Sequence, residues 1–546
     1  MIEESGACQL GWFATGVQFC RVEARVGKWL RRGQRRAHKA KVRVRRNKRL
    51  MHRRTLVVGL ALGLVVGMFT GCGDSGSTTI TTPGNGSVYL FLGDAPFGDV
   101  LSARMNITSI NLMAVGADAG GAALPTNLYI RANVAGLRDS LTILNVGSLE
   151  AVTCDRAELD FAIPSLGVLD LTQNPPTKTI TATMSMTSPY RVSIQPPLVL
   201  TKDKVSALRI DFDMFRSIQV DAQGQVTGTI KPVFNITPLI PSADGHFTEL
   251  DNLTGFVRSV TVNAPGQTYT GNFLIQLLSG TGTALYVNTN NNTQFYGAPS
   301  LSGLLTGSAV EMEGFVGTDG NLVATAVEVE GRADVTQNLI TFMGVVTTVT
   351  RDTNGRVTGF TLFVTDLEPD PSGLGVLWDT SVTVDASAVS TYQYTSRGTN
   401  FVSPPLAFDP TTIFPGQELS VLGTYVTTTD PTTAAETTAV TAQNIYLRLQ
   451  AVQGNYVSIV RAGADDKTGV FVLHPGSTLL RQARVLVFTD SSTKFIDLAG
   501  LSAMAPDQIL LARGLAFYER QATSINGVPV PAGTTVVLAK QLHRLQ

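Results

Sequence analysis

The chain has 546 residues and a formal net charge of zero, with 43% hydrophobic and only 15% charged residues, 52 Gly, 5 His and 4 Cys. So few charges exclude a disordered chain, a coiled coil and a halophilic surface. The absence of any run of 18 or more apolar residues excludes a polytopic helical membrane protein. The zero net charge hides two opposite parts: 16 Lys+Arg against 3 Asp+Glu before Cys72, and 26 against 39 from there on. A length of this size predicts about three to five domains.

The basic block over 21–54 taken alone reads as a nucleic-acid arm. Its continuation argues otherwise. Met51-His52-Arg53-Arg54 leads into fourteen apolar or small residues over 56–69, then Thr70-Gly71-Cys72. That is a positive n-region, a short h-region and small residues before a cut, the pattern of a secretory signal. Phe69-Thr70-Gly71-Cys72 resembles a bacterial lipobox, with Phe69 where Leu is usual. The resemblance implies that Cys72 is diacylglycerated and becomes the mature N-terminus. A start at Met51 would give a lipoprotein signal of ordinary length; a long basic n-region is the alternative. Cys8 and Cys20 fall in the leader, which leaves Cys154 alone in the mature chain and predicts a buried, inert thiol. The Gly/Ser/Thr/Pro tract over 73–86 reads as a flexible tether.

From Ser87 onward, runs rich in Val, Ile, Thr, Phe and Tyr alternate with Gly, Asn, Asp and Pro, which predicts strands and turns. The best helix candidate is short, over 137–149. The first module, 87–240, opens on Val88-Tyr89-Leu90-Phe91-Leu92-Gly93-Asp94-Ala95-Pro96 and closes through Leu208-Arg209-Ile210-Asp211-Phe212-Asp213 and Lys231-Pro232-Val233. These motifs resemble the bacterial domain of unknown function 4382, which implies an exported β-sandwich and brings no known activity.

The remainder repeats three times, over 250–331, 339–449 and 451–546. First strands begin at Gly255, Gly344 and Gly454, and fourth strands centre on Gly314, Gly423 and Gly514, at spacings of 59, 79 and 60 residues. The middle copy is longer through insertions over 366–377 and 396–410. Five strands with a short apolar segment between the third and fourth (301–305, 498–504) match a small OB-type barrel, with glycines at the bends. The copies resemble the domain of unknown function 5666. The fold expected is therefore all-β: a sandwich followed by three five-stranded OB-like barrels.

Chemistry-bearing residues are sparse. Gly73-Asp74-Ser75-Gly76 mimics a serine-protease nucleophile segment but lies in the tether, without the rigid scaffold and base a nucleophile needs. His246, His474 and His543 are the mature histidines; they form no ligand spacing for zinc and read as surface residues. Asp366, Glu368 and Asp370 alternate in a Pro-containing loop and are the calcium candidates. Pro371 occupies the sixth position, where an EF-type loop requires Gly, so a solvated loop with no metal is the reading. Asp211 and Asp213 share one face of a strand and could do acid/base work together with Asp94. A half-exposed strand, with Ile210, Phe212 and Met214 on the other face, is the simpler account. Phosphate-cradling Gly loops are missing.

OB-type barrels often bind oligonucleotides or oligosaccharides. The acidic mature chain repels phosphate, so no nucleic-acid partner is expected. Glycan binding would use aromatics such as Tyr286, Phe295, Tyr296, Tyr392 and Tyr394; Trp378 is the one mature Trp. The expectation is an exported, lipid-anchored envelope protein at the outer membrane or cell surface. It is non-enzymatic and without cofactor, its β modules serve adhesion, scaffolding or ligand binding, and its partners are the membrane and an envelope protein or glycan. The alternatives are a glycan-binding lipoprotein, recognised by aromatics gathered on one barrel face, and an enzyme whose Asp94, Asp211 and Asp213 converge in one pocket.

Overall fold

A computed structural model describes residues 85–95, 98–116, 122–123, 130–137, 141–277, 284–332, 338–368, 377–394, 406–429, 431–432, 436–476, 479 and 484–545. The leader, Cys72, the 73–84 part of the tether and most of both insertions in the middle repeat lie outside these residues.

The first module begins with β1 (Asn85–Ala95), β2 (Val100–Ala114), β3 (Ala122–Ala123), β4 (Ile130–Asn133), β5 (Thr142–Glu150), β6 (Thr153–Ala162) and β7 (Ser165–Leu169). It continues with β8 (Thr177–Thr181), β9 (Thr183–Met184), β10 (Tyr190–Val199), β11 (Val205–Asp213), β12 (Ile218–Val220), β13 (Val226–Ile230) and β14 (Phe234–Leu239). The apolar run of β1 does not alternate, and Val88 to Leu92 are all buried, as a strand covered on both faces requires. Val88, Leu90 and Leu92 enter the module core, while Tyr89 and Phe91 face the first barrel. β1 lies between β11, which it pairs in parallel, and β5, which it pairs antiparallel.

Eleven strands form one sheet, in the order β5-β1-β11-β14-β10-β6-β2-β7-β8 with β3 and β4 on β2. The sheet curls so that Leu92, Ile210 and Phe212 from one end share a core with Ile107, Ile110, Leu159 and Phe161 from the other. Phe161 meets Phe212 edge-on at 6.4 Å. The packing is sandwich-like, but both layers come from one continuous sheet. The expected helix over 137–149 is not formed. A single helical turn (Val134–Leu137) is followed by β5, because the open edge of β1 supplies backbone hydrogen-bond partners and Thr142, Ile143 and Val146 suit a pleated, buried surface.

The first barrel comprises β15 (His246–Val262), β16 (Gly271–Leu277), β17 (Ala284–Thr289), β18 (Gln294–Tyr296), β19 (Ser308–Gly317) and β20 (Leu322–Arg332). The second comprises β21 (Leu339–Arg351), β22 (Val357–Glu368), β23 (Ser381–Asp385), β24 (Thr391–Tyr394), β25 (Glu418–Thr429) and β26 (Glu436–Leu447). The third comprises β27 (Gln450–Ala462), β28 (Gly469–Pro475), β29 (Val485–Thr489), β30 (Lys494–Ile496), β31 (Ile509–Glu519), the hairpin β32 (Thr523–Ile525) and β33 (Val528–Val530), and β34 (Thr534–Arg544). Strand order is the same in all three, and each closes by parallel pairing of its third strand on its last: β17 on β20, β23 on β26, β29 on β34. The polar-aromatic corners are separate short strands, β18, β24 and β30, lying parallel to the last strand. The apolar segments before the fourth strands hold the 3-10 turns Leu301–Gly303 and Leu501–Ala503.

The repeated glycines have a steric cause. The pairing register shifts at Gly314, Gly423 and Gly514, and a Cβ there would strike the carbonyl oxygens of Val323, Thr441 and Leu538. The neighbouring strand approaches so closely at these bulges that only a residue without a side chain fits.

The modules meet through buried contacts. Tyr89 Oη donates to the Gly320 carbonyl at 2.6 Å, tying the first module to the first barrel. Arg104 binds Asp379 at 3.0 Å and lies 4.2 Å over the Trp378 ring, joining that module to the second barrel. Barrels two and three share one apolar cluster, and Gln417 Nε2 donates to the Ala516 carbonyl at 2.9 Å. Between barrels one and two, Arg448 Nη1 reaches both Glu330 oxygens at 2.9 and 3.0 Å and Nη2 lies 3.8 Å from Glu311. Ser420 Oγ also donates to Glu330. Removing one partner of a buried pair strands the other charge, which costs about 3–5 kcal/mol. Arg448→Met is expected to lower unfolding stability by that amount in urea titrations, and Arg448→Met with Glu330→Leu to recover part of it, because buried Glu311 also faces Arg448. A loss under 1 kcal/mol in the single variant would contradict this account.

Candidate functional site

In β11 the apolar residues Leu208, Ile210 and Phe212 enter the core. The two-residue period therefore sends Arg209, Asp211 and Asp213 to the opposite face. Antiparallel β14 sets Thr237 beside Arg209 and Asn235 beside Asp211. Asp213 then caps a helical turn, Met214–Ser217, that presents Phe215 and Arg216. The third barrel supplies the facing wall: Ile496 at the end of β30 pairs with His543 of β34, with Asp497, Arg544 and Leu545 alongside. Between the two walls is a cleft of about 270 Å³.

Its charges are organised in pairs. Arg209 Nη2 donates to Asp211 Oδ1 at 3.0 Å. Asp213 Oδ1 accepts the Arg216 backbone N–H at 2.9 Å, and the Arg216 guanidinium is 3.9 Å from Oδ2. Burial pushes the Asp213 carboxyl above its usual range, against the pull of the Arg216 hydrogen bond and charge, with a small push from Asp211. His543 Nε2 lies 3.2 Å from Asp497 Oδ2. Arg544 is half-buried and has no ion-pair partner among the described residues. Such a lining offers adjacent donors and acceptors to a small polar ligand, beside the partly exposed ring of Phe215, which is 36% accessible.

Of the carboxylates singled out from the sequence, Asp211 and Asp213 share this cleft; Asp94 lies in β1 in register with Phe212, its side chain outside the described residues. Of the histidines expected at the surface, His543 is half-buried in the cleft, where module packing covers it, and His246 stacks on Phe315 with centroids 3.5 Å apart while 28% of its side chain stays accessible. His474 is exposed at the end of β28. Among the calcium candidates, Asp366 turns toward Arg104, 4.0 Å away. The Glu368 side chain and Asp370 lie outside the described residues, within which no group of three His, Cys, Asp or Glu side chains could hold a metal ion.

The aromatics do not gather on one barrel face. Tyr286 is exposed on the first barrel and Phe295 packs on its core; Tyr296 donates to Gln294 nearby. Tyr392 packs edge-on to Phe408, and Tyr394 edge-on to Phe517 of the third barrel. Sequence reading missed Phe215, Arg216, Asp497, His543 and Arg544 as site residues. They come from chain segments some 280 to 330 positions apart, and no linear pattern joins them. No protein-family model matches the chain, and no curated protein matches it.

Because ionisation of Asp213 is harder in the folded chain than in the unfolded one, its charge weakens folding as pH rises from the ordinary aspartate value through its own raised pKa, and the penalty is complete above that. Asn keeps the capping acceptor and cannot ionise. Asp213→Asn is expected to be more stable than the parent near pH 7, with the gap closing below the ordinary aspartate pKa of about 3.9. Urea midpoints at the two pH values check this, and a gap that widens on acidification contradicts it. Cys154 is fully buried, and burial, with Asp155, pushes its thiol pKa up. It is expected to react with a thiol reagent only at the rate of unfolding; rapid labelling of the native protein would show otherwise.

Proposed function

We propose that this is a lipid-anchored cell-envelope protein of binding rather than enzymatic type, exported by the signal that precedes Cys72 and displayed at the outer membrane or cell surface. In this reading the first module belongs with the domain of unknown function 4382 and the barrels with the domain of unknown function 5666. The observation that carries the binding reading is the cleft walled by β11 and β14 on one side and β30 and β34 on the other. Its walls belong to modules fixed through buried contacts, which is what a preorganised site needs. Binding is favoured over chemistry because the cleft carboxylates are already engaged, Asp211 by Arg209 and Asp213 by the turn it caps. Carboxylates held in this way are fixed hydrogen-bond acceptors, and their remaining lone pairs stay open to a ligand.

The anchor is tested by the mass of the N-terminal peptide from the native membrane fraction. Peptides beginning at an acylated Cys72 are the expected result, with Cys72→Ser moving the protein to the soluble fraction. An unmodified chain that still carries residues 21–54 would overturn the anchored reading and return the basic arm to consideration.

A further inference from the structure

We infer that the cleft takes a neutral saccharide unit; this rests on the binding reading above and names its ligand class. The first argument is charge. Three guanidiniums (Arg209, Arg216, Arg544) and the His543 imidazole share one lining with three carboxylates (Asp211, Asp213, Asp497). An anionic ligand drawn to Arg544 would also be set beside carboxylates, and a cationic one drawn to Asp211 or Asp213 beside the guanidiniums that already pair with them. A neutral polyol has no such conflict.

The second argument is the arrangement of donors and acceptors. Every sugar hydroxyl both donates and accepts, so a site must offer both kinds of group side by side. The β11–β14 face does so in register: Arg209 beside Thr237, then Asp211 beside Asn235. Within β11, Arg209 already touches Asp211 at 3.0 Å. The ion pairs hold their side chains in place, so little conformational freedom is lost on binding. Arg544, without an ion-pair partner among the described residues, has guanidinium N–H donors left for hydroxyl or ring oxygens.

The third argument is shape and apolar surface. A pyranose has a C–H face that needs an apolar contact, and Phe215, 36% accessible at the cleft margin, supplies an aromatic one. A volume of about 270 Å³ falls just below the roughly 300–1,000 Å³ of sites for drug-sized ligands, which suits one or two sugar rings inside the cleft and the rest of a chain outside.

The test is calorimetric titration of the purified full chain with cellotetraose, xylotetraose and mannotetraose, and separately with tetragalacturonate and inorganic phosphate. Sub-millimolar binding of at least one neutral tetrasaccharide is expected. It should weaken at least tenfold in Phe215→Ser and in Arg544→Met, both partly exposed positions whose melting temperatures should stay unchanged. Binding of tetragalacturonate or phosphate alone, lost in Arg544→Met, would overturn the neutral-saccharide inference and leave the binding site standing. Neutral binding that both variants retain would place the sugar elsewhere and overturn the assignment to this cleft. Binding of none of the five probes would overturn the inference and count against the binding reading as well. Release of reducing ends from a bound tetrasaccharide, abolished in Asp211→Asn, would keep the ligand class and overturn the non-enzymatic reading.

Discussion

The relation among the barrels depends on a guanidinium that cannot be left alone. Arg448 is almost wholly buried where the first two barrels meet, with Glu330 at 2.9 Å and Glu311 at 3.8 Å. A charge taken out of water at an apolar seam is tolerable only in a fixed geometry with its remaining hydrogen bonds satisfied. Ser420 supplies one of these to Glu330. Few arrangements of the two barrels meet that condition, so the ion pair constrains their orientation. The third barrel is positioned by the apolar cluster it shares with the second and by the Lys540–Glu313 ion pair to the first, and the first module by Tyr89 and Arg104. The cleft is a by-product of these seams, since neither wall encloses it alone.

The barrels were legible in the sequence because their determinants are local and repeated. A glycine is forced wherever a neighbouring carbonyl passes too close for a Cβ, and that requirement returns at Gly314, Gly423 and Gly514 in each copy. Strand alternation, as in β16, where every second residue is buried, is equally local. The hairpin β32–β33 carried a readable signal that went unused: Asn526-Gly527 both take positive φ, 49° and 76°, the pair a tight two-residue hairpin favours.

Other features were decided by partners distant in sequence. β5 is a strand because β1 needs a neighbour, and nothing within residues 142–150 announces that edge. The single curled sheet in place of two separate layers depends on β10 pairing with both β6 and β14, a topological fact without a residue signature. The cleft is the extreme case. Asp211 and Asp213 were visible as a pair on one strand face, but their setting is provided by Asp497, His543 and Arg544, whose meeting with β11 is a property of module packing.

The position of β1 also determines how the molecule meets a mechanical load. A pull that reaches Asn85 from the N-terminal side would act on this strand, which is hydrogen-bonded along both edges and buried on both faces. Extracting it along its axis would have to shear its ladders with β5 and β11 together and draw Tyr89 and Phe91 out of the contact with the first barrel. A strand at a sheet edge would peel away one hydrogen bond at a time. Tension applied at this end would therefore meet many weak bonds that must fail at once.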